Sequence, residues 1–207
     1  QTQESLRFEL NDTAETYAKY PFHFKLLITY KIVDNHLKIT WKVDNTNNHK
    51  MYFSIGGHPA FLCPIQEGTK QTDYTLRFDT ADKIVSSMLG EGGLLTNEKK
   101  TYALNNGVLA VTKDLFDNDA LVIEGNQAHE VSLAYGEEKP YLTVRFEAPL
   151  FGIWSPPKKE APFICIEPWY GRCDRVDYAG SLENREWGNV LEAGKSFEVS
   201  YEVTVGE

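Results

Sequence analysis

Cysteine, arginine and long apolar runs are all scarce in this sequence, and each shortage removes a class of protein. Cys63, Cys165 and Cys173 are odd in number and follow no framework spacing. A disulfide-stapled scaffold is therefore excluded, and the expectation is reduced thiols in an intracellular, cytoplasmic protein. His58 and these cysteines include no Cys-x-x-Cys or His-x-His pair. That spacing is poor for zinc, and no metal or other cofactor is expected. A phosphate loop, a dinucleotide fingerprint and a Gly-x-Ser-x-Gly nucleophile elbow are missing as well. No apolar run approaches the ~18 residues of a membrane span, and no secretory leader is visible. The formal charge of -9 argues against a nucleic-acid or anionic-membrane partner and leaves a neutral small molecule open. There is no internal repeat, low-complexity tract or linker. The chain begins at Gln1 rather than methionine, so processing or an upstream start is expected.

What is present is a strand-forming composition. Hydrophobic residues make up 42% and aromatics 13%, with 11 tyrosines and 11 phenylalanines, enough for a sizeable core. Residues 3–10, 22–33, 37–43, 50–55, 74–78, 108–112, 121–124, 130–135, 141–147, 153–154, 163–167 and 197–205 read as strands. Leu37, Ile39, Trp41 and Val43 alternate with Lys38, Thr40 and Lys42, which is period two with one wet face. Residues 13–20 and the glycine-bearing 86–96 read as loops. Only 181–187 invites a short helix, with Ser181 as N-cap. Many short strands without a long helix predict an all-β, antiparallel β-sandwich in one domain spanning 1–207.

Two stretches carry the candidate chemistry. In Ile55-Gly56-Gly57-His58-Pro59-Ala60-Phe61, paired glycines permit close approach and Pro59 biases His58 away from helix. A histidine held there can donate a proton and take it back; the bland alternative is a turn-stabilising side chain. In Phe163-Ile164-Cys165-Ile166-Glu167-Pro168-Trp169-Tyr170 a single carboxylate sits in an apolar strand. Burial would raise its pKa into the range of a base, whereas Tyr170, Arg172 and backbone amides would oppose that. The bland alternative is an ion pair with Arg172 or Arg175. Asp117 and Asp119 form an acidic turn able to accept hydrogen bonds from ligand hydroxyls. Trp154, Trp169, Tyr20 and Phe61 offer flat faces to a sugar ring or, equally, core packing.

At these residues the sequence resembles the aldose 1-epimerase (galactose mutarotase) family, in its LacX-like branch. The resemblance rests on Tyr20-Pro21-Phe22, Ile55 to Phe61, Phe116 to Leu121, Ile153-Trp154 and Phe163 to Trp169, in the expected order along nearly the whole chain. It implies a supersandwich of antiparallel sheets with an open sugar cleft, needing neither cofactor nor metal. By the same resemblance His58 matches the acid that protonates the ring oxygen and Glu167 the base at the anomeric hydroxyl. Asp119 is the preferred match to the substrate-binding aspartate over Asp117. One departure stands out: the family has a further N-terminal region with an arginine and a second histidine at the sugar, and His23 does not replace them. The expectation is therefore the C-terminal two-thirds of a longer domain, with an open sheet edge if nothing precedes it.

The partner expected is a glucose- or galactose-like hexose. A hexose 6-phosphate is the alternative within the enzyme class and would need arginines such as Arg172 and Arg175 at the cleft mouth. A non-catalytic carbohydrate-binding protein would keep the aromatics and Asp119 without convergence of His58 and Glu167, and a purely structural sandwich would set the two far apart. The enzyme reading requires His58 and Glu167 to face one cavity, separated by about one sugar ring.

Overall fold

The alternating segments fold as their pattern requires. In the computed structural model, which describes residues 2–206, the strand His36–Asn45 buries Ile39, Trp41 and Val43 on one face. The closing strand Ser196–Val205 pairs with it from Ser196–Asp44 to Thr204–His36. Around this pair lies an antiparallel sheet of eight strands, ordered Ser5–Asn11, Phe24–Val33, His36–Asn45, Ser196–Val205, Leu142–Phe146, Glu130–Tyr135, Tyr74–Phe78 and Val108–Ala110. A second sheet, of seven strands, runs Ile55–Gly56, Phe163–Tyr170, Leu150–Trp154, Leu121–Glu124, Lys83–Leu89 and Leu95–Ala103, with Ala60–Leu62 also paired to Phe163–Tyr170.

The inner faces of the two sheets meet in one apolar cluster. Ile39, Leu76 and Val144 come from the first sheet, and Ile123, Phe151, Ile153, Ile164 and Ile166 from the second. Each such side chain, fully buried, contributes roughly 1.5–3 kcal/mol. A smaller cluster of Val43, Met51, Phe53 and Leu191 forms beside the ribbon Met51–Phe53 and Asn189–Leu191. Because side chains alternate along a strand, burial of Ile164 and Ile166 in the core turns Cys165, Glu167 and Trp169 to the opposite face of the second sheet. The functional candidates are there as a consequence of core packing.

Three local expectations are corrected. Residues 13–20 are not a loop: Ala14–Lys19 is a helical turn and a half. Thr13 and Thr16 cap each other reciprocally, and the helix buries no residue, so it left no apolar period to read. The expected loop at 86–96 is a hairpin of Lys83–Leu89 and Leu95–Ala103, its glycines confined to the turn. Ser86 and Ser87 are tolerated inside the strand because their hydroxyls bond to Ser87 O and to the Glu124 carboxylate. The helix at 181–187 shrinks to a 3-10 turn, Leu182–Asn184, in which the Ser181 hydroxyl accepts from the Asn184 side chain at 3.1 Å rather than capping a backbone N–H.

The first sheet extends past the second at its Ser5–Asn11 end. Leu6, Phe8 and Leu10 stand opposite Tyr30, Ile28 and Leu26 on the core side of the sheet. Phe8 is nevertheless 54% exposed and Ile32 58%. The core face therefore continues there as an uncovered apolar shelf. Among the described residues no helix is long and apolar enough to cross a membrane.

Candidate active site

Strand register brings the acid and base candidates together. Gly56 pairs with Trp169 and Ala60 with Cys165. The register is the same on both sides of the break, and the Gly57 N–H donates to Pro168 O at 3.1 Å, so the arch Gly57-His58-Pro59 sets position 58 opposite position 167. His58 Nδ1 lies 3.4 Å from Glu167 Oε1. Both line one cavity of about 510 Å³, with Asp119, Val122, Trp169 and Arg172 among the other residues of its wall. That volume is within the range of small-molecule sites. The expected gap of one sugar ring between His58 and Glu167 is absent: the two touch. The difference lies in the imidazole, whose side chain is 61% exposed and leans onto a carboxylate only 5% exposed.

Glu167 is pushed up to about 7, chiefly by burial; the Trp169 indole opposes the rise and the charge of Asp119 adds to it. Arg172, which could have cancelled the effect, points elsewhere. Its Nε–H donates to Glu124 at 2.7 Å and its second arm reaches Glu186. Arg175 also pairs with Glu186, at 3.0 Å. Neither arginine is therefore the partner of Glu167, and both already have carboxylate partners.

The remaining candidates divide. Trp154 meets the His58 ring edge-on, with centroids 5.5 Å apart and planes at 88°. Trp169 lies flat over two glycines: a Cβ on Gly152 would come within 2.4 Å of its ring, and one on Gly56 within 2.6 Å. Glycine at these positions is what lets the indole form the cavity wall. Asp119 is part of the wall, held in the left-handed region at φ 71°. Its Oδ1 accepts the Ala120 N–H at 2.8 Å. Asp117 is exposed in the same turn and is not among the wall residues.

Two aromatics are not brought to the cavity. Phe61 pairs with Ile164 and packs against the main core. Tyr20 packs on the smaller cluster, and its hydroxyl donates to Tyr52 O at 2.6 Å. Both have the bland role of filling space.

Sequence reasoning missed Cys165 as a neighbour of the pair. Its sulfur, a ring nitrogen of His58 and a carboxylate oxygen of Glu167 all lie within 4.8 Å of one another. The signal was in the strand period, since 165 and 167 share a face. Gly171, also in the wall, was missed as well: at φ 121°, any Cβ would come within 2.3 Å of Ser54.

The fold has known counterparts. The family described as aldose 1-epimerase matches residues 1–204. The plasmid-encoded Protein LacX of Lactococcus lactis subsp. lactis is 29% identical over 207 residues, covering 98% of this chain and 69% of LacX. Among solved structures, a galactose mutarotase related enzyme from Lactobacillus acidophilus is 34% identical with a TM-score of 0.90, over 100% of this chain and 69% of that one. A galactose mutarotase-like protein from Lactobacillus casei gives a TM-score of 0.90 at 24% identity, over 100% of this chain and 71% of that one. With a match along nearly its whole length and the same sandwich beneath it, this chain belongs to the aldose 1-epimerase family, among its LacX-like members.

Proposed function

We propose that the protein interconverts the α and β anomers of a free hexose, with Glu167 as base and His58 as acid. The observation that carries this reading is a buried carboxylate held near neutrality, 3.4 Å from an exposed imidazole in one cavity. A base that titrates near the working pH combines availability with driving force.

In the forward half-reaction the Glu167 carboxylate takes the proton of the anomeric hydroxyl. The O1–H electrons form the C1=O1 carbonyl, the C1–O5 bond breaks, and O5 takes a proton from His58. Rotation about C1–C2 presents the other face of the aldehyde. Return of the O5 proton to His58 and of the Glu167 proton to O1 closes the ring as the opposite anomer, and both side chains regain their starting states. Admitting a pyranose between the two groups requires the exposed imidazole to swing outward while Glu167 stays in its strand. Asp119 accepts hydrogen bonds from sugar hydroxyls, and Trp154 and Trp169 supply apolar faces to the ring. A neutral hexose is favoured over a hexose 6-phosphate, because Arg172 and Arg175 are already committed to Glu124 and Glu186.

The test follows the optical rotation of freshly dissolved α-D-glucose and α-D-galactose with and without protein. The expected result is acceleration that disappears in Glu167→Gln while sugar binding persists. Near-normal rates in that variant would remove Glu167 as base, and binding without acceleration in the parent would make this a carbohydrate-binding protein.

A further inference from the structure

We propose that, with the cavity empty of sugar, His58, Cys165 and Glu167 form an inhibitory binding site for a thiophilic divalent cation of the zinc class, which would occupy the acid and base of the reaction proposed above. Cys165 and Glu167 are alternate residues of one strand and project from the same face. His58 reaches them from the arch that the same strand anchors on both sides. One donor atom from each lies within 4.8 Å of the other two, and the His58–Glu167 pair is already at 3.4 Å.

The donor set decides the kind of cation. A sulfur, an imidazole nitrogen and one carboxylate oxygen suit zinc or cobalt, whereas magnesium and calcium call for oxygen ligands throughout. Three protein ligands with a fourth position open to a cleft is the arrangement of zinc sites that keep a water. Bonds of about 2.0–2.3 Å place tetrahedral donors about 3.5 Å apart, so the widest separation here must shrink by about 1 Å. Because His58 and Glu167 are already 3.4 Å apart, that contraction brings the Cys165 sulfur and the pair together. Binding forms the metal–sulfur bond and releases the thiol proton to solvent. Neither Cys63 nor Cys173 belongs to the cluster, which is why the cysteine spacing gave no hint of it.

Cobalt(II) reports the thiolate directly, through its near-ultraviolet sulfur-to-metal charge-transfer band. Chelator-stripped protein titrated with cobalt(II) chloride should develop that band to one equivalent and lose it on adding zinc. Cys165→Ser should abolish the band, and Cys63→Ser should keep it. His58→Ala, a change at an exposed position, should weaken zinc binding about tenfold or more in competition with a chromophoric chelator, comparable at least to losses from outer-shell changes. A band of full intensity in Cys165→Ser, no band in the folded parent, or unchanged zinc affinity in His58→Ala would overturn the proposal. All readouts are made without sugar, so their outcome is independent of whether the protein is a mutarotase.

Discussion

Replacing Glu167 with glutamine is expected to make the protein less active and more stable at the same time. The carboxyl group titrates at about 7 in the fold against 4.5 in a solvated chain, with burial as the first cause. The folded state therefore binds more protons than the unfolded state between those two values, and stability falls as pH rises through that window. Below about 4.5 the group is neutral in both states and carries no penalty. Above about 7 the penalty is complete. At about 1.4 kcal/mol per pKa unit, the interval from 4.5 to about 7 corresponds to about 3 kcal/mol. Glutamine keeps the shape and cannot ionise. At pH 8 the variant should melt roughly 6–12 °C above the parent, given about 2–4 °C per kcal/mol for a chain of this size. At pH 4.5 the difference should shrink toward zero. Thermal melts followed by circular dichroism at the two pH values measure this. A variant that melts below the parent at pH 8 would refute the argument, because it would mean that the charged form has a stabilising partner.

Glu124 provides the contrasting case within the same sheet. Burial pushes it upward too, but hydrogen bonds from Ser87 and Arg172, the Arg172 charge and the Trp187 indole together bring it below the ordinary carboxylate range. Its ionised form therefore stabilises the fold above the unfolded pKa, and that contribution is lost as pH falls. Glu124→Gln should lower the melting temperature at pH 8, opposite in sign to Glu167→Gln.

The catalysed rate should fall about tenfold per pH unit well below pH 7, as protonation removes Glu167 as a base; a flat profile down to pH 5 would exclude it from the rate-determining proton transfer. Gly152→Ala places a methyl group where the Trp169 ring lies, which should cost about 1–3 kcal/mol and shift tryptophan emission and KM together. Arg172→Met leaves Glu124 without its buried partner and should destabilise by about 3–5 kcal/mol in denaturant titrations.

Much of the sandwich was legible because period-two alternation is a local signal that the structure retains. The strands Leu121–Glu124 and Glu130–Tyr135 have the expected bounds, and His36–Asn45 buries the residues its pattern nominates. Readings failed where a local device replaced periodicity. Paired threonine caps hold a helix with no buried face, and strand serines satisfied by hydroxyl bonds resemble a loop. For the aromatics, composition could not distinguish a wall from a core: Trp169 is in the cavity wall and Trp154 meets the His58 ring, while Tyr20 and Phe61 pack on the two apolar clusters.

By itself the sequence determined that this is a β protein, and it singled out His58 and Glu167 as the candidates for chemistry. These follow from residue type and spacing, which act within a few positions. Only the tertiary structure decided that positions 58 and 167 stand opposite each other, that Arg172 turns away to Glu124, and that desolvation therefore governs the Glu167 carboxylate. Those outcomes depend on strand register and on which buried charge finds which partner, and both are set by contacts between segments far apart in the chain.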